Sequence, residues 1–277
     1  MTFDLLTIIG LFASTLIGIS LGLIGGGGSI LTVPVLVYLF NVDPVLATAY
    51  SLFIVGLSSL VGAFPKYKSG MIDLKTAVVF GIPSIIAVFI TRKVLVPSIP
   101  DTLFSVGELA FTKALAMMLL FAILMVAASV SMIRDKKKEE TASTAPRIFN
   151  YPMILLEGTV VGVLTGLVGA GGGFLIIPAL VMLSKLPMKQ AVGTSLLIIA
   201  AKSLIGFTGD VMENSKNMDW TLLGVVTALA VLGIFIGNQL SKKIDGAALK
   251  KGFGWFVLVM GLYIIIKELA FPGASSH

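Results

Sequence analysis

The sequence predicts an all-α polytopic membrane protein made of two inverted repeats, each a re-entrant helical hairpin followed by three transmembrane helices. Three observations carry this. Of the 277 residues, 57% are hydrophobic and only 12% charged, about half the charge fraction of soluble domains. A stretch reading GLIGGGGSILTVPVLV, Gly22–Val37, returns as GLVGAGGGFLIIPALV, Gly166–Val181. The apolar segment that follows each glycine run is too short to cross a bilayer.

In chain order, the first half has apolar segments at Phe3–Ile24, Ser29–Phe40, Pro44–Phe64, Leu74–Val96 and Thr112–Ile133. The second has them at Tyr151–Val168, Gly173–Ser184, Met188–Thr208, Trp220–Leu240 and Leu249–Ala270. The halves superpose at a constant offset of 144 residues. Gly22, Gly25, Gly27, Gly28, Leu31 and Pro34 fall on Gly166, Gly169, Gly171, Gly172, Leu175 and Pro178. Ala47, Ser51, Leu52, Ser59 and Gly62 fall on Ala191, Ser195, Leu196, Ser203 and Gly206. Asp73 and Asp219 match after a two-residue insertion. Repeat 1 is therefore placed at residues 1–133 and repeat 2 at 151–277. The charged, Ser/Thr/Ala-rich stretch at 134–150 is a solvated linker.

Loop charge sets the topology. With the linker in the cytoplasm, a short second segment that returns to its side of origin puts 14 of the 20 Lys and Arg inside. These include Lys66, Lys68, Lys75, Lys185, Lys189, Lys242, Lys243, Lys250 and Lys251. If the short segment stays at the far face, the last four of these move outside, against the positive-inside tendency. The first arrangement puts the N-terminus outside. Twelve residues of helix reach only about 18 Å, against a hydrocarbon core of about 30 Å. Each glycine turn then lies within the membrane, near its middle. Three crossings per half is an odd number, so the halves have opposite orientation. Inverted repeats with helices broken at the midplane are a recurring plan of secondary transporters.

A glycine turn at that depth exposes backbone N–H groups with no Cβ over them. The helix that follows begins with unpaired N–H groups at its positive dipole end, a ready anion site. The candidate substrate-binding residues are Gly26, Gly27, Gly28 and Ser29 in one turn, and Gly171, Gly172 and Gly173 in the other. Hydroxyls of Ser51, Thr194 and Ser195 on the third segments join them. Pro34 and Pro178, five residues into the short arms, are candidate hinges. The competing reading of the glycines is close helix packing. That of the hydroxyls is bonding to their own or a neighbouring backbone. Lys202, deep in an apolar segment, either snorkels to the surface or adds positive charge to an anion path. Glu157 is its candidate partner or a proton carrier.

Several classes are excluded. There is no cysteine, and the one histidine is His277, the last residue. Thiol chemistry, histidine relays and His-ligated metal sites drop out, and neither cofactor nor metal is expected. No Gly-Lys-Ser/Thr follows the glycines, so no phosphate-binding P-loop is present. The net charge of +6 is read as cytoplasmic loop charge rather than nucleic-acid binding. No nucleophile–base pair is visible, so no enzyme is expected.

The two glycine–proline stretches, each followed by an A-x-x-x-S-L stretch, resemble the sulfite exporter TauE/SafE family of membrane permeases. The likeness covers both halves. The Ala-Val-Gly-Thr-Ser motif at Ala191–Ser195 adds to it, whereas the first half has Ala49 and Tyr50 where Gly and Thr stand in the second. The resemblance implies transport of sulfite or a small organosulfur anion across a bacterial inner membrane. A carrier working by alternating access and an anion-selective channel both fit the residues.

Overall fold

The computed structural model describes residues 5–106, 109–134, 151–169, 173–182, 186–214, 218–241 and 246–270. Its helices follow the sequence pattern closely. Helix α1 spans Leu5–Ile24 and is followed by a 3-10 stretch, Gly26–Leu31, that runs into α2, Thr32–Leu39. Then come α3, Pro44–Lys68, and α4, Leu74–Ile90. A π-turn, Thr91–Leu95, prolongs α4 into the single turn α5, Val96–Ser98. The second half holds α7, Tyr151–Val168, α8, Gly173–Met182, α9, Met188–Asn214, α10, Trp220–Leu240, and α11, Gly246–Ala270. The last helix of the first half is α6, Lys113–Arg134. Six helices among the described residues are long and apolar enough to cross a membrane.

Two features escape a hydropathy reading. One is a short antiparallel hairpin, β1 Thr102–Val106 with β2 Leu109–Thr112, held by stacked rings of Phe104 and Phe111. Strands this short carry no periodicity to detect. The other is the π-turn. Pro97 cannot donate to the carbonyl four residues back, and its ring would strike that carbonyl. The turn before it widens, with Val96 N–H bonding to Thr91 C=O.

The two glycine turns begin alike. Gly25 and Gly169 have φ of 74° and 71°, a region open to glycine and costly for other residues. Each donates back to the preceding turn, Gly25 to Leu21 at 2.8 Å and Gly169 to Thr165 at 2.7 Å. The second arms close alike, with Val42 N–H bonding Leu36 C=O and Leu186 N–H bonding Leu180 C=O. Each of these bonds spans six positions and closes the chain back on the end of its short helix. The ring of Phe40, at the end of the first hairpin, comes back beside Gly10 of α1.

Small residues let the helices meet backbone to backbone. A Cβ on Gly18 would strike Ala230 C=O, and one on Gly237 would strike Ile19 C=O, so α1 runs parallel to α10. Gly158, Gly162 and Gly166 abut Phe80, Ser84 and Thr91 in turn, so α7 runs parallel to α4. Gly56, Gly62 and Gly193 face Leu204, Leu196 and Lys66, so α3 and α9 run antiparallel. Swapping the halves turns the α1–α10 contact into α7–α4, and α3–α10 into α9–α4, while α3–α9 and α6–α11 map onto themselves. The outward faces, such as Leu5, Phe12 and Leu16 of α1, are apolar and exposed, as a lipid-facing surface requires.

Candidate functional site

The two hairpin turns meet. A Cβ on Gly26 would overlap the backbone of Gly173, and one on Gly173 would overlap that of Gly26. Gly25 also approaches the side chains of Val192, Ser195 and Ile177, while Gly169 lies against Thr48. Thr48 and Val192 each lie near the start of their helix, and α3 and α9 are antiparallel. The turns therefore lie alongside one another rather than tip to tip.

The sequence-derived residues fall around this junction. Gly26, Gly27 and Gly28 form the start of the 3-10 stretch. Ser29 is fully buried and donates to Gly26 C=O at 2.7 Å. Gly173 opens α8, and Gly171 and Gly172 lie outside the described residues. Ser51 is fully buried, its Oγ unpaired among the described residues. Ser195 donates to Val192 C=O at 2.9 Å, and Thr194 accepts from Asp73 N–H at 2.9 Å. Pro34 is the third residue of α2, directly after the 3-10 stretch. Pro178 is the sixth residue of α8.

Lys202 does not snorkel. Helix α9 continues six residues past the expected Thr208, to Asn214, which leaves Lys202 at its centre. The side chain is fully buried, and Nζ donates to Thr165 Oγ1 at 3.0 Å. It does not pair with Glu157, whose Oε2 is buried and unpaired among the described residues. Glu157 sits eight residues before Thr165 on α7, about 12 Å along the helix.

A residue the sequence reading passed over completes the picture. Arg92, in the π-turn, is 1% exposed. Its Nη1 donates to Thr48 Oγ1 at 2.9 Å and meets Asp210 Oδ1 at 3.3 Å. Its Nε and Nη2 have no partner among the described residues. In the sequence Arg92 precedes Lys93 inside the apolar segment Leu74–Val96. It continues the buried face of α4 that runs through Ser84 and Val88. Thr48 touches Gly169 and Thr165 bonds it, so both buried cations bond to threonines at the turn of the second hairpin.

More buried hydroxyls line the α3–α9 seam. Ser58 and Ser59 on α3 and Ser203 on α9 are fully buried, their oxygens unpaired among the described residues. The region offers hydroxyls, backbone N–H groups and two cations, the donor set of an oxyanion site.

Comparison with known proteins bears on what such a site serves. The family model of the sulfite exporter TauE/SafE matches residues 10–264. A probable membrane transporter protein of Xylella fastidiosa is 29% identical over 265 residues, covering 92% of this chain and 93% of that protein. The probable membrane transporter protein YunE of Bacillus subtilis is 30% identical, covering 96% of this chain and 95% of its own. One from Methanocaldococcus jannaschii is 26% identical over 91% of this chain. No solved structure matches the chain significantly.

Proposed function

The chain belongs to the sulfite exporter TauE/SafE family and is a multi-pass membrane transporter, not an enzyme; from that premise we propose that it exports sulfite or a related small organosulfur anion by alternating access. The anion sits between the two hairpin turns. Backbone N–H groups of Gly26–Gly28 and Gly171–Gly173 and hydroxyls of Ser29, Ser51, Thr194 and Ser195 are its ligands. Lys202 and Glu157 supply charge or coupling, and Pro34 and Pro178 act as hinges.

The observation that supports this reading best is the backbone contact of Gly26 with Gly173. Two turns in contact leave no room for an anion between them. Binding then requires one hairpin to move against the other, which is the motion alternating access needs. The antiparallel run of α3 against α9 supports an inverted relation between the repeats. The loop charges favour an external N-terminus and a cytoplasmic linker in a bacterial inner membrane.

The test is flux of labelled sulfite into proteoliposomes, in competition with sulfate, thiosulfate and sulfoacetate, with and without a pH gradient. Saturable sulfite flux, accelerated by sulfite on the opposite side, is expected. Flux without that acceleration assigns a channel. If no sulfur oxyanion moves, the substrate reading is wrong.

A further inference from the structure

We infer that Arg92 is a substrate-binding residue, and that the Nε–Nη2 edge of its guanidinium takes two oxygens of the transported oxyanion. This rests on the reading of the chain as an anion transporter and adds a ligand that hydropathy and the glycine repeat do not reveal.

The geometry is specific. Nη1 is engaged by Thr48 at 2.9 Å and by Asp210 at 3.3 Å. What is left is the side-on edge, where Nε–H and Nη2–H point the same way. That edge suits two oxygens of one carboxylate, sulfite or sulfonate. Both nitrogens are buried and unpaired among the described residues. Leaving such donors dry is costly, so the fold has a use for them. The Asp210 contact is a single one, at the long end of hydrogen-bond range. It offsets the charge of Arg92 without closing the fork.

The surroundings favour an anion. Thr48, the other partner of Arg92, lies against Gly169 at the second turn. Lys202 bonds Thr165, one helical turn earlier, and adds a second buried cation. The repeat explains why no counterpart exists at the first turn. The position matching Lys202 is Ser58, and the one matching Arg92, at the later offset of 146, is Asn238. Backbone donors are thus shared by both turns, and the cationic ligands come from one side only.

The experiment uses the purified full-length protein with sulfite, nitrate and chloride as probes. Binding is read by calorimetry and sulfite flux in proteoliposomes. Arg92→Lys keeps the charge and loses the fork. Arg92→Gln paired with Asp210→Asn removes both charges, so no lone buried charge compromises folding. Sulfite should bind each variant on the order of 10- to 100-fold more weakly than the wild type. Chloride, which offers no pair of oxygens, should discriminate little between wild type and Arg92→Lys. Wild-type affinity and flux in either variant would overturn the assignment while leaving transport of sulfite intact. Wild-type protein that binds nitrate through Arg92 but neither binds nor moves sulfite would uphold the site and sink the sulfur substrate. Wild-type protein that binds no oxyanion would overturn the Arg92 site itself.

Discussion

The hydroxyl of Thr194 accepts a hydrogen bond from the backbone N–H of Asp73 at 2.9 Å. Thr194 belongs to α9 and Asp73 caps α4, so the bond joins the two halves. Its counterpart is the hydroxyl of Tyr50, on α3, which accepts from the N–H of Asp219, the cap of α10. The carboxylates of Asp73 and Asp219 meanwhile take Thr76 N–H at 3.0 Å and Leu222 N–H at 2.9 Å. Each half thus supports the start of a helix in the other. Thr194→Val leaves a partly buried N–H without its acceptor and should destabilise the protein by about 1–3 kcal/mol. Thr194→Ser should restore most of that. Denaturant unfolding in detergent measures both. A Thr194→Val protein as stable as wild type would show that this bond does no structural work.

Gly26 and Gly173 cannot accept a methyl group, because the obstacle on each is the other's backbone. Gly26→Ala and Gly173→Ala should lose most sulfite flux and about 1–3 kcal/mol of stability, the usual range for overpacking. Gly224 is the control. A Cβ there meets nothing within 4 Å, so Gly224→Ala should transport normally and stay within about 1 kcal/mol of wild type. Equal flux from all three variants would mean that contact between the turns is immaterial.

The α1–α10 seam depends on the same economy of side chains. Gly18→Leu would push against Ala230 C=O and should cost about 1–3 kcal/mol. Phe12, 72% exposed on the outer face of the same helix, should tolerate leucine with little change. The difference in melting temperature between the two variants is the readout.

Lys202 is buried with one neutral hydroxyl as its described partner. Methionine matches its length without its desolvation cost. Lys202→Met should therefore be as stable as wild type or more so, by up to about 4 kcal/mol. Its sulfite flux should nonetheless fall. A variant that is destabilised and fully active would reverse the assignment of Lys202 to function.

Much of the architecture was legible in the sequence because it is written in local terms. Hydropathy marks helices such as Tyr151–Val168 and Trp220–Leu240 to the residue. The repeated glycines locate both turns, since a positive φ excludes most other residues at Gly25 and Gly169. The matched pair Asp73 and Asp219, which in the alignment is only a register mark, is a pair of helix caps.

The candidate site was less legible, because its chemistry depends on which way side chains turn. Lys202 reads as a cation that could reach the surface. Helix α9 runs on to Asn214, and Thr165 of α7 holds the ammonium inside. Arg92 has no counterpart in the glycine repeat to draw notice to it. It lies four residues after Val88 and eight after Ser84 on the buried face of α4, and packing of the helices brings it to Thr48 and Asp210, residues 44 and 118 positions away. Composition, hydropathy and the recurring glycine stretch alone marked an all-α polytopic membrane protein with paired glycine turns, because those signals arise within a few residues of chain. That the turns lie side by side, that each half holds a helix cap of the other, and that one arginine keeps an open fork beside the second turn were decided by tertiary contact. Such contacts join residues far apart in sequence, and no local pattern records them.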